Sequence, residues 1–194
     1  YIGEADTGRS RILLSHFLHR CQFIFNRKGS KINMKIRKSH PDELELLIKM
    51  YENARLFMAG HGNPSQWGQT YPKKTLIAAD IESGCSYVCE EHGQIIATFY
   101  YKKGPDDTYR RIYSGEWLNE RPYGVVHRIT SDGTVKGAAS FCLNWAFEQC
   151  RNLKIDTHRD NRIMQHLLDK NGFTYCGIIY TEDGSERMAY QKAE

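Results

Sequence analysis

Residues 123–150 constrain this chain more than any other stretch, because they read as a strand, a short polar loop and a helix in direct succession. Tyr123, Val125, Val126 and Ile129 supply the aromatic and β-branched side chains that suit a pleated, half-buried surface. Ser131-Asp132-Gly133 interrupts that run with residues that turn easily. From Gly137 onward Ala138, Phe141, Cys142, Trp145 and Ala146 recur at intervals of three and four, which puts them on one face of a helix. A helix with one apolar face covers a sheet, so the segment is a strand-to-helix crossover. The first turn of such a helix presents backbone N–H groups without internal partners at its positive end, a setting suited to phosphate or pyrophosphate. Gly137, Ala138 and Ala139 leave the backbone bare there, and Lys136 adds a cation. The same residues also suit a tight turn with close helix–sheet packing, so the loop alone leaves both readings open.

Residues 155–173 form a second unit: a strand end at Ile155-Asp156-Thr157, a helix, and a stop at Lys170-Asn171-Gly172-Phe173. That stop has a cation in the last turn and a glycine free to take positive φ. Together the two units resemble the acetyl-CoA-binding core of the GNAT N-acetyltransferase superfamily. Gly137 and Ala139 match its Gln/Arg-x-x-Gly-x-Gly/Ala loop, with Thr134 where Gln or Arg is usual. Asn161, Leu167, Lys170, Gly172 and Phe173 match its helix motif, with Leu168 in place of the tyrosine that often protonates the leaving thiolate. The resemblance implies an α+β fold with a mixed, mostly antiparallel central sheet flanked by helices, and acetyl-CoA as co-substrate. It also implies that the backbone of Ile129, Thr130 and Ser131 pairs with the pantetheine arm. By the same resemblance the amides of Thr134, Val135, Lys136, Gly137, Ala138 and Ala139 hold the pyrophosphate, and Asn161 bonds the cofactor near the pantetheine.

With 194 residues and 40% hydrophobic content the chain supports one substantial core. Its net charge of +4 resides in residues 1–33, which carry six basic and two acidic side chains; the remainder has 21 of each. A neutral main domain offers no electrostatic footprint for nucleic acid. Cys21, Cys85, Cys89, Cys142, Cys150 and Cys176 show no zinc-type pairing and read as reduced thiols of a cytoplasmic protein. His158 and His166 lie eight residues apart, which gives no same-turn metal pair, so no metal is expected.

Residues 1–33 read as a leader outside the domain, too short and polar in their apolar runs to span a bilayer and without a signal-peptide pattern. Arg27-Lys28-Gly29 can be encoded by a purine-rich triplet run resembling a bacterial ribosome-binding site just upstream of Met34. Translation from Met34 is one reading and a genuine basic arm the other. The single domain then spans 34–194. A strand over 33–38 leads to a capped helix start at Ser39-His40-Pro41-Asp42-Glu43. Leu44, Leu47, Met50, Tyr51, Ala54 and Phe57 form the buried stripe of that helix, and Gly60 to Pro64 break it. A second helix covers 73–82, two strands flank Glu91-His92-Gly93, and a long polar interruption runs over 104–121. A hairpin across Glu182 to Ser185 closes the chain, an element order that agrees with the resemblance.

The family reaction is direct attack of an amine on the acetyl-CoA thioester, which requires a neutral amine and a stabilised thiolate. Two residues are candidates for proton removal: His127, whose side-chain type exchanges protons close to neutral pH, and Glu116 in the long interruption. A structural role for His127 and a water relay without a dedicated base remain open. By resemblance Trp67 and Tyr71 contact the acceptor, joined by Trp117 and Tyr123 and by the charged Glu116, Arg110, Arg111 and Glu182. Aromatic faces beside carboxylates favour a cationic small-molecule or peptide amine. A catalytically idle acyl-CoA-binding regulator is the alternative, and a homodimer is left open. A nucleotide-binding αβ module is disfavoured, since the loop has neither Gly-x-Gly-x-x-Gly nor Gly-Lys-Ser/Thr. A chain that starts at Met34 is expected to unfold at the same temperature as the full chain and to bind acetyl-CoA equally well. Thermal melts of the two, with N-terminal mass analysis of the natural protein, check both the leader and the start.

Overall fold

The computed structural model describes residues 33–194, which form β1 (Lys35–Lys38), α1 (Leu44–Gly60), α2 (Lys74–Glu82), β2 (Ser86–Glu91), β3 (Gln94–Lys103), β4 (Gly124–Ser131), α3 (Ala138–Cys150), β5 (Asn152–Thr157), α4 (Arg162–Lys170), β6 (Thr174–Tyr180) and β7 (Glu186–Ala193). The leader expected over 1–33, and Cys21 with it, lies outside the described residues except for Asn33. That residue's backbone N–H meets the buried Glu91 carboxylate at 2.8 and 3.0 Å.

The strands form one seven-stranded sheet in the order β1-β2-β3-β4-β5-β7-β6, antiparallel at every junction but one. The exception is β4 with β5, parallel because α3 carries the chain back between them. Strand alternation then sorts side chains into two layers. On β2, Val88 faces one side and joins Leu47, Met50, Tyr51, Ile77 and Ile81 beneath α1 and α2. Its neighbours Tyr87 and Cys89 face the other side and pack with Phe99, Tyr101, Val126, Leu153 and Ile155 against α3 and α4. On β4, Val125 turns away from Val126 and enters a third cluster with Tyr109, Ile179 and Ala189, under the segment that follows β3.

Two local features depart from the sequence expectation. The stripe of α1 is buried at Leu47, Met50 and Tyr51 but ends there: Phe57 is 51% exposed and stacks on His61, its ring centroid 3.9 Å away. The last turn of α1 borders a cleft instead of the core. The hairpin between β2 and β3 turns on His92 and Gly93 alone, both at positive φ (50° and 76°), the geometry that matches strand twist; Glu91 stays in the strand.

The parallel junction positions everything that follows. Only Gly124↔Leu153 and Val125↔Lys154 are in register between β4 and β5, after which the strands part. β4 also carries a bulge against β3, since Tyr100 faces His127 while Thr98 faces Thr130, so one residue of β4 is extra. Arg128 sits in that bulge at φ 54°, a left-handed conformation that costs a non-glycine residue roughly 1–2 kcal/mol.

The segment over 104–123 is fastened to the far edge of the sheet by a bridge between Tyr113 and Ile178. The approach there is so close that a Cβ on Gly115 would overlap the carbonyl oxygen of Cys176. Gly115→Ala is therefore expected to lower stability by about 2 kcal/mol or more. Gly60→Ala, where a Cβ meets nothing within 4 Å, should leave stability nearly unchanged; urea unfolding of the pair makes the comparison.

Candidate functional site

Where β4 and β5 part, a cleft of about 1310 Å³ opens, walled by α1, the connection after it, the C-terminal halves of β4 and β5, α4 and the turn between β6 and β7. His127 points into it and is hydrogen-bonded at one ring nitrogen, with a second carboxylate beyond hydrogen-bond reach of the other. Nε2 lies 3.1 Å from Asp106 Oδ2, and Nδ1 lies 3.7 Å from Asp156 Oδ1. Tyr109 donates its hydroxyl to the same Asp156 oxygen at 2.7 Å, and the rings of Tyr100 and Tyr109 stand 5.8 and 5.6 Å from the imidazole. Burial pushes the Asp106 carboxyl up, but bonds from His127 and Thr108 outweigh it and hold the group well below the usual carboxylate range.

Arg128, turned by the bulge, reaches the opposite wall. Its Nη2 meets Asp80 Oδ2 at 2.6 Å, its Nη1 donates to the Tyr71 hydroxyl at 3.1 Å, and the guanidinium lies 4.7 Å above the Tyr100 ring. Both charged side chains are only 9% exposed, and burial pushes the Asp80 carboxyl up while the Arg128 charge partly offsets it.

Among the expected site residues, His127, Ile129, Thr130, Ser131, Ala139, Asn161, Trp67, Tyr71 and Glu182 line this cleft. Thr134, Val135, Lys136, Gly137 and Ala138 form the rim at the start of α3 rather than its wall. There the Thr134 N–H is taken by Asp132 Oδ1 at 2.9 Å. The N–H groups of Val135, Lys136 and Gly137 have no acceptor among the described residues. Gly137, at φ 86°, faces open space where a Cβ would stand. Asn161 caps α4, its Oδ1 accepting from Met164 N at 3.1 Å.

Glu116, Trp117 and Tyr123, also expected at the site, do not line the cleft. Glu116 is exposed. Trp117 and Tyr123 instead clasp the Lys154 ammonium, whose nitrogen lies 3.9 and 4.1 Å from their ring centroids. Burial in that aromatic clasp lowers the Lys154 pKa to about 8. Trp117 Nε1 donates to the Tyr109 carbonyl at 3.2 Å, and the Asp106 N–H donates to the Tyr123 hydroxyl at 3.2 Å. The two rings therefore support the segment that delivers Asp106 to His127. Arg110 and Arg111 also stay outside the cleft, Arg110 pairing with Asp107 at 2.8 Å. Leu168, at the position of the family tyrosine, is fully buried in the core, and the cleft-facing residues of α4 include Met164 and Leu167.

Sequence reasoning missed Asp106, Asp156, Asp80 and Arg128. Asp106 stood within the flagged interruption at 104–121, and its Asp-x-Thr spacing, which closes a turn through Thr108 N at 3.0 Å, was the available signal.

A cofactor with a pantetheine arm and a pyrophosphate fits these groups. Thr157 Oγ1 and Asn63 Oδ1 are buried, border the cleft and have no hydrogen-bond partner among the described residues. Such groups call for a polar ligand. Among the described residues no three His, Cys, Asp or Glu side chains are grouped to hold a metal ion, and no helix is long and apolar enough to cross a membrane.

The fold matches solved acetyltransferases. A GNAT-family acetyltransferase of Streptococcus agalactiae is 31% identical, with a TM-score of 0.76 over 89% of this chain and 98% of its own. A GNAT-family acetyltransferase of Listeria monocytogenes is 17% identical, with a TM-score of 0.62 over 84% and 95%. A Salmonella typhimurium protein solved with its cofactor acetyl-CoA is 14% identical, with a TM-score of 0.56 over 82% and 93%. No family sequence model matches the chain, and no curated protein matches it by sequence.

Because the folded Asp106 pKa lies below its unfolded value, the carboxylate contributes stability above about pH 4 that is lost as pH falls through the folded value. Asp106→Asn should then melt below the wild type at neutral pH, with the gap closing under acid conditions. Thermal melts from pH 7 down to pH 3 measure that gap; a gap that widens towards acid would contradict the assignment.

Proposed function

The chain belongs to the GNAT family of acetyltransferases, and from that premise we propose that it transfers the acetyl group of acetyl-CoA to a primary amine on a small molecule or peptide, by direct attack of the amine. The observation that carries this reading is His127, fixed by Asp106 and exposed to the cleft beside the strand edge of Ile129 to Ser131. Acetyl-CoA supplies an activated thioester. The chain's own residues do the rest. The N–H groups of Val135, Lys136 and Gly137 and the positive end of α3 hold the pyrophosphate, and Lys136 adds charge. The freed edge of β4 from Ile129 to Ser131 aligns the pantetheine arm, and Asn161 contributes an amide N–H. His127 takes the proton the acceptor amine sheds as its nitrogen becomes an amide, and Asp106 stabilises the charge that the imidazole gains.

The acceptor enters along Phe57, His61, Trp67 and Tyr71, a wall of aromatic faces. The cleft is lined by eight carboxylates (Asp80, Asp106, Asp107, Asp132, Asp156, Asp160, Glu182 and Asp183) against four cations (Lys102, Arg128, Arg162 and Arg187). That excess draws a cationic amine and disfavours a polyanionic acceptor. One observation favours an idle acyl-CoA-binding regulator: the α4 residues Met164 and Leu167 face the cleft without a hydroxyl to protonate a thiolate. Free-thiol release with acetyl-CoA and a panel of polyamines, amino acids, aminoglycosides, aryl amines and peptides separates the two. Turnover with a cationic amine is expected, reduced at least about 100-fold in His127→Ala. Gly137→Glu should abolish acetyl-CoA binding in a folded protein, because it sets a negative side chain where the pyrophosphate lies. Binding without turnover across the panel would favour the regulator, and unchanged affinity in Gly137→Glu would remove the pyrophosphate assignment.

A further inference from the structure

The connection between α1 and α2 reaches across the cleft, and one side chain ties it to the far wall. Gln66 Oε1 accepts two amide bonds, from Asn63 Nδ2 in its own connection at 2.7 Å and from Asn161 Nδ2 at the start of α4 at 2.8 Å. The Gln66 carbonyl takes a third bond from Arg187 Nη2 on β7 at 3.3 Å. Arg187 is itself 9% exposed, so this anchor is set into the body of the protein. The side-chain oxygen of Gln66 thus joins its own connection to α4, and its backbone oxygen joins the connection to β7.

The consequence falls on Asn161. Its amide has one oxygen and two N–H donors. The oxygen caps α4 through Met164 N, and one N–H goes to Gln66. These two bonds fix the plane of the amide, so the second N–H points in a set direction, and the acceptor recorded for it is the Met58 sulfur, 4.0 Å from the amide nitrogen and at the limit of a weak bond. A ligand that takes this second N–H holds Asn161 in the orientation that Gln66 needs. Closure of the connection, in turn, holds Asn161 ready for the ligand.

We propose that Gln66 is a positioning residue that couples the acceptor wall to the cofactor wall, so that acetyl-CoA binding and closure of the 61–73 connection favour each other. The inference rests on the reading of Asn161 as a cofactor contact. Coupling of this kind is reciprocal: the factor by which acetyl-CoA protects the connection equals the factor by which a closed connection tightens acetyl-CoA. It also depends on an acceptor oxygen at position 66 and on nothing else in the side chain. Gln66→Glu keeps that oxygen, whereas Gln66→Ala removes it.

The test uses acetyl-CoA as the probe and needs no acceptor. Amide hydrogen exchange over 61–73 is followed with and without acetyl-CoA, and acetyl-CoA affinity is measured by titration calorimetry. In the wild type, acetyl-CoA should slow exchange in the connection about fivefold or more. Gln66→Ala should lose that ligand-dependent slowing and bind acetyl-CoA more weakly by a similar factor, while Gln66→Glu keeps both properties. Unchanged affinity or retained protection in Gln66→Ala would overturn the coupling. Loss of the coupling in Gln66→Glu would overturn it too, even where the alanine variant does not fold. A wild type that binds acetyl-CoA with no change in the connection overturns the coupling alone, and one that does not bind acetyl-CoA overturns the cofactor reading and the coupling with it.

Discussion

Two parallel strands that stay paired for only two residues set the terms for the rest of this molecule. Beyond Val125 and Lys154, β4 and β5 have separate neighbours, and their facing edges border a space instead of each other. Both strands then run directly into helix starts, α3 after β4 and α4 after β5, so the C-terminal ends of a parallel pair open onto two positive helix termini. That is the place in an open sheet where ligands settle. The gap has to be held open from both sides. Arg128 ties β4 to α2 through Asp80, while β5 keeps a full ladder with β7 and its Asp156 is engaged by Tyr109.

How much of this was written in local sequence follows from the range of the interactions. The strand-loop-helix of 123–150, the capped helix that stops before Gly172 and the closing hairpin are each specified by periodicity and turn chemistry within one continuous stretch, and each stands where it was expected. The stripe of α1 was legible up to Tyr51, but whether Phe57 has anything to pack on depends on where the sheet ends, which no helical period encodes. The bulge at Arg128 is equally silent, since its sign is a left-handed arginine in an otherwise ordinary β-branched run.

The site shows the same division. The residues expected on β4 and the α3 loop could be named together because one continuous segment carries them. Choosing among the polar residues of 104–121 required knowing which one reaches His127, and that depends on a fold-back fixed elsewhere. Lys154 clasped by Trp117 and Tyr123, and the bridge from Tyr113 to Ile178, bring Asp106 rather than Glu116 to the imidazole. Of the four aromatic residues expected at the acceptor, Trp67 and Tyr71 line the cleft while Trp117 and Tyr123 hold Lys154, because an aromatic side chain in sequence does not declare which face of a loop it occupies.

The Arg128 and Asp80 pair has a consequence for how such a protein changes over generations. Two charges that are each only 9% exposed neutralise one another, and removing either strands the other in a poorly solvated place, a loss of about 3–5 kcal/mol. Replacing both with apolar side chains that fill the space costs far less. The two positions therefore behave as a single heritable unit split across a strand and a helix: a descendant that abandons one charge passes through a poorly folding ancestor unless the second change comes first or with it. Arg128 also lies beside His127 on the cleft wall, so a step that succeeds in folding still reshapes the surface that an acceptor meets.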